Sequence, residues 1–160
     1  MIICNNQYFT LQVLDDNFVA FNVNEIERQL QQIKSIATST NVSHPPVGAI
    51  TSINRDESAK VRAALAKDNA AVLHEIDHAL FAVTLDLDSP ANRDQAGEWL
   101  NAGNKGTIGN RWFEKFVNFV VFENGWAGLS GEHTPLDAPI VGTLTDYILE
   151  RYLNFLLLLF

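Results

Sequence analysis

Apolar positions along the chain switch between a period of two and a period of three to four, and the switches mark the elements. Ile2 to Cys4 reads as a short strand before a turn at Asn5-Asn6, and residues 7–14 (QYFTLQVL) alternate as a second strand with aromatic and β-branched positions. Asn24 with Glu27 forms a capping pair ahead of Ile26, Leu30, Ile33 and Ala37, which predicts a helix over about 24–36. The tandem prolines of 43–48 (SHPPVG) make a loop. A second capping pair, Asn54 and Glu57, starts a helix to about Lys67, and a third helix begins near Asn69 with Val72, Leu73, Ile76, Ala79 and Leu80 on one stripe. Strands follow at 81–87 (FAVTLDL) and 116–123 (FVNFVVFE), separated by a short helix and a glycine-rich loop within 92–110. Asn124-Gly125 is a hairpin signal that returns the chain through 126–129. A loop over 131–139 leads to a last helix over about 141–152. Strands interleaved with helices predict an α/β (α+β) fold, a mixed β-sheet flanked by helices.

Composition narrows the function more than the fold. At 160 residues the chain suits one domain, and no repeat or composition break marks a second over 1–160. Eleven basic residues against 19 acidic give a net charge of −8 with no basic run, which argues against nucleic acid or an anionic membrane surface as partner. The single cysteine, Cys4, excludes a disulfide framework. The N-terminus lacks the basic and apolar regions of a signal peptide. Residues 154–160 (NFLLLLF) are strongly apolar but far short of the roughly 20 needed to span a bilayer. An apolar end without a helix stop is expected of a piece of a longer chain, or of an end that packs on a missing partner.

Three constellations could carry chemistry. His74-Glu75-Ile76-Asp77-His78 matches H-E-x-x-H, which in zinc peptidases sets two imidazoles one turn apart with a glutamate to polarise water, and Glu98 could serve as a third ligand. At 100° per residue, however, His74 and His78 lie opposite the apolar stripe, Asp77 adds a charge, and a strand follows at once. That geometry assigns the string to a solvated helix face and leaves a zinc hydrolase as the lesser alternative. The glycine-rich loop Gly103–Gly109 lacks the order of a phosphate loop and reads as a connection. In GWAGLSGEHTPLDAP (125–139), His133 follows a strand in a loop with two prolines, and Asp137 lies four residues on. Imidazoles titrate near about 6.5 and can accept a proton from a hydroxyl or thiol, and an acid can orient the ring. The same residues also fit a surface histidine beside a turn acid. No serine or cysteine is paired with it.

Five blocks in series raise a resemblance. They are Pro46-Val47-Gly48-Ala49-Ile50-Thr51-Ser52 followed by Arg55-Asp56-Glu57; Ala79-Leu80-Phe81 leading to Leu85-Asp86; Gly109-Asn110-Arg111-Trp112-Phe113 with Lys115; and Gly131-Glu132-His133-Thr134-Pro135-Leu136-Asp137. In order and spacing the chain resembles the choline/carnitine acyltransferases over nearly its whole length. The resemblance implies that His133 is a general base. It would deprotonate the hydroxyl of carnitine or choline for direct attack on an acyl-CoA thioester, with no acyl-enzyme, and Asp137 would orient it. Arg111 is then a structural ion pair, and Asn110, Arg111 and Trp112 support the strand that leads to the histidine loop.

The resemblance implies no resident cofactor or metal. The co-substrates are acyl-CoA and CoA, the small-molecule partners carnitine or choline, and the setting intracellular: mitochondria, peroxisomes or cytosol. Three departures stand out: Ala138 in place of a glycine after the acid, Ser58 in place of a tryptophan, and Asn101-Ala102-Gly103 in place of an L-H-G-G stretch. The family's second domain, which carries the oxyanion, carnitine and CoA sites, has no counterpart here, and Thr38-Ser39-Thr40 is no substitute. The expectation is therefore a truncated, base-bearing lobe that turns over little by itself. A non-catalytic or split lobe serving as a binding or assembly module is the other reading.

Overall fold

The computed structural model describes residues 1–39, 42–104, 107–135 and 137–157. Thr40, residues 105–106 of the glycine-rich loop, Leu136 and the end of the apolar tail (158–160) lie outside them. Strands β1 (Ile2–Cys4), β2 (Gln7–Phe9), β3 (Ala82–Asp86), β4 (Val117–Phe122) and β5 (Ala127–Gly131) form one sheet in the order β2-β1-β3-β4-β5. The central β1, β3 and β4 run parallel, while β2 and β5 return antiparallel at the edges. Helices α1 (Val23–Ser39) and α2 (Arg55–His78) lie between β2 and β3, α3 (Arg93–Ala102) connects β3 to β4, and α4 (Ala138–Leu157) follows β5. The predicted class, a mixed sheet with helices, is the observed one.

Both turns form where the sequence places them, the second as a three-residue loop over 123–125, with the Phe122 amide donating to the Trp126 carbonyl and the Gly125 amide to the Phe122 carbonyl. Asn5 and Asn6 take positive φ (51° and 56°), as a tight hairpin of right-handed strands requires, and Gly125 does so at 88°. The predicted strand over 7–14 stops at Phe9, because its partner β1 is only three residues long and offers no further backbone to pair with. The first helix starts one residue early and its cap moves by two. Asn22, not Asn24, accepts from the backbone N–H of Glu25 at 2.9 Å. Asn54 and Asn92 cap α2 and α3 in the same way.

The two helices predicted on either side of Asn69 run into one another through a sharp bend, with Asn69 at φ −128°, ψ 25° and its side-chain amide on the Leu65 carbonyl. The bend is large: Arg62 Nη2 reaches Asp77 Oδ1 at 2.6 Å. A straight helix would hold those backbones about 22 Å apart. The halves fold back together, bringing Leu73 and Ile76 into a cluster with Ile3, Ala82 and Trp112. The predicted stripe is narrower than its pattern, since Val72 and Leu80 are exposed.

The inward face of β3 is only partly apolar, carrying Ala82, Thr84 and Asp86. Asp86 meets Arg111 at 2.8 Å, both side chains fully buried. The guanidinium also donates from Nη2 to the Trp99 carbonyl (2.8 Å), from Nε to Leu100 (3.1 Å) and from Nη1 to Asn110 (2.9 Å). Trp99 and Leu100 lie in the last turn of α3, so Arg111 shares the Trp99 carbonyl with the Gly103 amide, takes up the Leu100 carbonyl and sits at the negative end of the helix dipole. Asn110 completes the network: Nδ2 donates to Asp86, Oδ1 accepts from the Asn6 backbone at 2.6 Å, and its carbonyl accepts from Thr84 at 2.7 Å. Arg111 is thus the structural ion pair that the sequence implied. Removing one partner strands a buried charge, so Asp86→Ala is expected to cost about 3–5 kcal/mol in urea unfolding. A loss under about 1 kcal/mol would show the pair to be dispensable.

Candidate functional site

The blocks that carry the resemblance divide into frame and loop. Val47–Ser52 forms a 3₁₀ turn pressed against the chain at 109–111: a Cβ at Gly48 would collide with the Arg111 carbonyl, the Gly109 carbonyl and the Tyr8 hydroxyl. Thr51 Oγ1 donates to the Gly48 carbonyl at 2.7 Å and accepts from the Phe113 backbone at 2.9 Å, which ties the first block to the third. Trp112 is buried, edge-on to Tyr8 at 5.7 Å, and its backbone is gripped on both sides by the Asn118 side chain. Lys115 donates to the carbonyls of Asp77 (3.0 Å) and Ala79 (2.6 Å), closing the end of α2, and burial holds its ammonium below the usual lysine range. The Gly109 end of the glycine-rich loop is packed against Asn6 and Pro46 rather than free. The amides of Asn104, Thr107 and Asn110 bond within the loop, which leaves them turned away from any phosphate.

This frame fixes the β4–β5 hairpin, and the hairpin presents His133. Gly131 pairs with Val117, and the Glu132 amide still donates to the Phe116 carbonyl at 3.2 Å before the chain turns away. His133 then stands in an open turn, its side chain 76% exposed, with Nε2 3.8 Å from Asp137 Oδ1. The two predicted residues are brought together, at ion-pair range rather than hydrogen-bond range. Ala138 opens α4 with helical backbone, so this position does not need the glycine that the resemblance supplies there.

The sequence reading missed the residue before the histidine. Glu132 accepts from the Thr134 hydroxyl at 2.6 Å and from the Thr134 amide at 3.0 Å, and stands 3.8 Å from Arg55. The Thr134 hydroxyl, above all, holds the Glu132 carboxyl below the usual carboxylate range, with the Thr134 amide and Arg55 adding to it. The available signal was an acid two residues before a threonine in a loop, an arrangement in which a carboxylate reaches the following amides. Beneath the turn lies a cleft of about 450 Å³ lined by Thr51, Ser58, Arg62, Phe113, Glu132 and Thr134 among others. Ser58, small where the resemblance has tryptophan, is buried in its wall and 3.5 Å from Glu114 Oε1.

The other candidates lie elsewhere. His74 and His78 are exposed on α2 and stack face to face at 3.9 Å, with His78 Nδ1 2.9 Å from the His74 carbonyl, so their lone pairs do not converge on a point. Among the described residues no group of three or more His, Cys, Asp or Glu side chains could hold a metal ion. Cys4 is buried in β1, and burial pushes its thiol up to about 11. No helix of the described residues is long and apolar enough to cross a membrane.

Comparison with known proteins agrees with the blocks. A model of the choline/carnitine O-acyltransferase family matches residues 1–155. The chain is 34% identical over 158 residues to a carnitine O-acetyltransferase of Homo sapiens, covering 93% of the chain and 25% of that protein. It is 31% identical over 160 residues to a choline O-acetyltransferase of Danio rerio, covering 96% of the chain and 25% of that protein. The chain therefore spans about a quarter of the length of these relatives.

Because the His133 side chain is largely exposed, His133→Ala is expected to change the unfolding free energy by less than about 0.5 kcal/mol. Chemical denaturation of the two chains side by side checks this; a loss above about 1 kcal/mol would assign the histidine a structural role.

Proposed function

The chain belongs to the choline/carnitine acyltransferase family, and from that membership we propose that it is the lobe that carries the general base for acyl exchange between acyl-CoA and carnitine or choline. His133 removes the proton from the hydroxyl of carnitine or choline. The hydroxyl oxygen bonds to the thioester carbonyl carbon, the C–S bond breaks as the tetrahedral adduct collapses, and the imidazolium returns its proton to the departing CoA thiolate. In reverse the thiol loses the proton and the alcohol recovers it. The observation that carries this reading is the exposed imidazole on a turn anchored to the sheet: a base for two exchanging substrates must be reachable from outside its own lobe.

Two further features support direct transfer. Cys4 sits within the sheet with a thiol too weakly acidic to attack a thioester at neutral pH, and His133 has Asp137 beside it, a carboxylate that stabilises the imidazolium formed midway. Acyl-CoA or CoA acts as co-substrate. Binding of both substrates and stabilisation of the oxyanion fall to residues outside this chain, in keeping with its quarter-length coverage of the relatives. A second reading, an assembly module without turnover, draws on the exposed apolar side chains of α4, Ile140, Tyr147, Leu149 and Leu153 among them.

The size of the native polypeptide separates the two readings. Immunoblotting is expected to show a band several times 17.8 kDa, and a band at 17.8 kDa would favour the module. In the native protein, release of CoA thiol from acetyl-CoA in the presence of carnitine or choline is expected to fall about 10²–10⁴-fold on His133→Ala. Asp137→Asn is expected to cost less. Retained transfer in His133→Ala would remove the assignment.

A further inference from the structure

The turn that bears His133 is closed by its own neighbours. From the geometry we infer that Glu132 and Thr134 are positioning residues, a clasp that holds the His133 backbone at one angle to the sheet and ties the turn to the start of α2. This inference rests on the reading of His133 as the base.

Three observations converge on it. Glu132 is the last residue whose amide is held by the sheet, on the Phe116 carbonyl at 3.2 Å. Its carboxylate then reaches over His133 to both donors of Thr134, the hydroxyl at 2.6 Å and the amide at 3.0 Å. Among the described residues the imidazole has one polar contact, the 3.8 Å approach of Asp137, which is beyond hydrogen-bond range. The orientation of the base must come from the backbone on either side, and the clasp spans that backbone. Charge-assisted bonds of this kind are about twice as strong as neutral ones. Arg55, at 3.8 Å from Glu132 Oε1, adds a tie to the first turn of α2. Arg62 and Glu114 face the same cleft from α2 and from the chain before β4. Glu132 is the acceptor common to the turn and the cleft.

The clasp has a defined pH window. The Glu132 carboxyl titrates below its ordinary range because the ionised form accepts from Thr134 and faces Arg55. The clasp is therefore intact at neutral pH and above the ordinary glutamate range, and it opens as the pH falls through the lowered value.

Two measurements test it. In ¹H–¹⁵N spectra of the chain, the Thr134 amide is expected to titrate with a midpoint below about 4.3, the ordinary glutamate value. Glu132→Gln removes the titration, and Thr134→Val moves the midpoint upward while resonances of the sheet stay in place. In the native protein, Thr134→Val is expected to lower kcat about tenfold with KM for acetyl-CoA unchanged, and Thr134→Ser, which keeps the hydroxyl, restores most of it. An amide that does not titrate, or equal activity of the Val and Ser variants, overturns the clasp. Loss of the base assignment is told apart by its own signature: transfer that survives His133→Ala while the Thr134 amide still titrates.

Discussion

A guanidinium with no exposed atoms needs its acceptors inside the protein, and at Arg111 those acceptors come from three parts of the chain. Asp86 supplies the charge from β3, Trp99 and Leu100 supply carbonyls from the end of α3, and Asn110 supplies its own. A hydrophobic pair of equal volume would fill the same space and could be as stable. It would not specify which turn of α3 faces which residue of β3. Directed bonds do, and through Asn110 they extend to Asn6 at the β1–β2 turn. The pair therefore sets the mutual position of β1, β3, α3 and the segment entering β4.

The blocks that carry the resemblance are mostly this frame. Gly48, Thr51, Asn110, Arg111, Trp112 and Lys115 hold one another, and Thr51 also lines the cleft beneath the histidine turn. The proposed chemistry is left to a short turn at one edge of the sheet, reached through β4 and β5. Rigid scaffold and exposed loop are separated in this way in many enzymes, because a loop can present a side chain without distorting a core. Here the separation is wide: Arg111 is wholly buried while His133 is largely open.

Much of this order was legible in the residues. The alternation of 81–87 and 116–123, the Asn5-Asn6 and Asn124-Gly125 turns and the Asn54 cap are local signals, and local signals survive folding. The strand over 7–14 failed because strand length depends on a partner far away in sequence, which no local pattern records. The bend at Asn69 was legible as two helices but not as a reversal, since that depends on Arg62 meeting Asp77. His133 and Asp137 were singled out from their spacing and the family blocks, and the structure sets them 3.8 Å apart. Glu132 was passed over because a carboxylate beside a histidine resembles any surface acid until its hydrogen bonds are seen. The H-E-x-x-H string misled only as a pattern. The helical angle already turned both rings outward, and their stacking agrees.

The bond between Asn6 and Asn110 spans 104 positions, and β1 finds its parallel partner only when β3 has been made. At about 5–20 residues per second on a ribosome, roughly 5–20 s pass between the synthesis of those two asparagines. Until β3 has been made, Ile2, Ile3 and Cys4 have only the short β2 as a strand neighbour and an open edge on the other side. Such an edge can pair with another chain as readily as with its own. The parallel centre of the sheet therefore closes only through contacts far apart in sequence, which makes it slower to assemble than the local hairpins at its two edges.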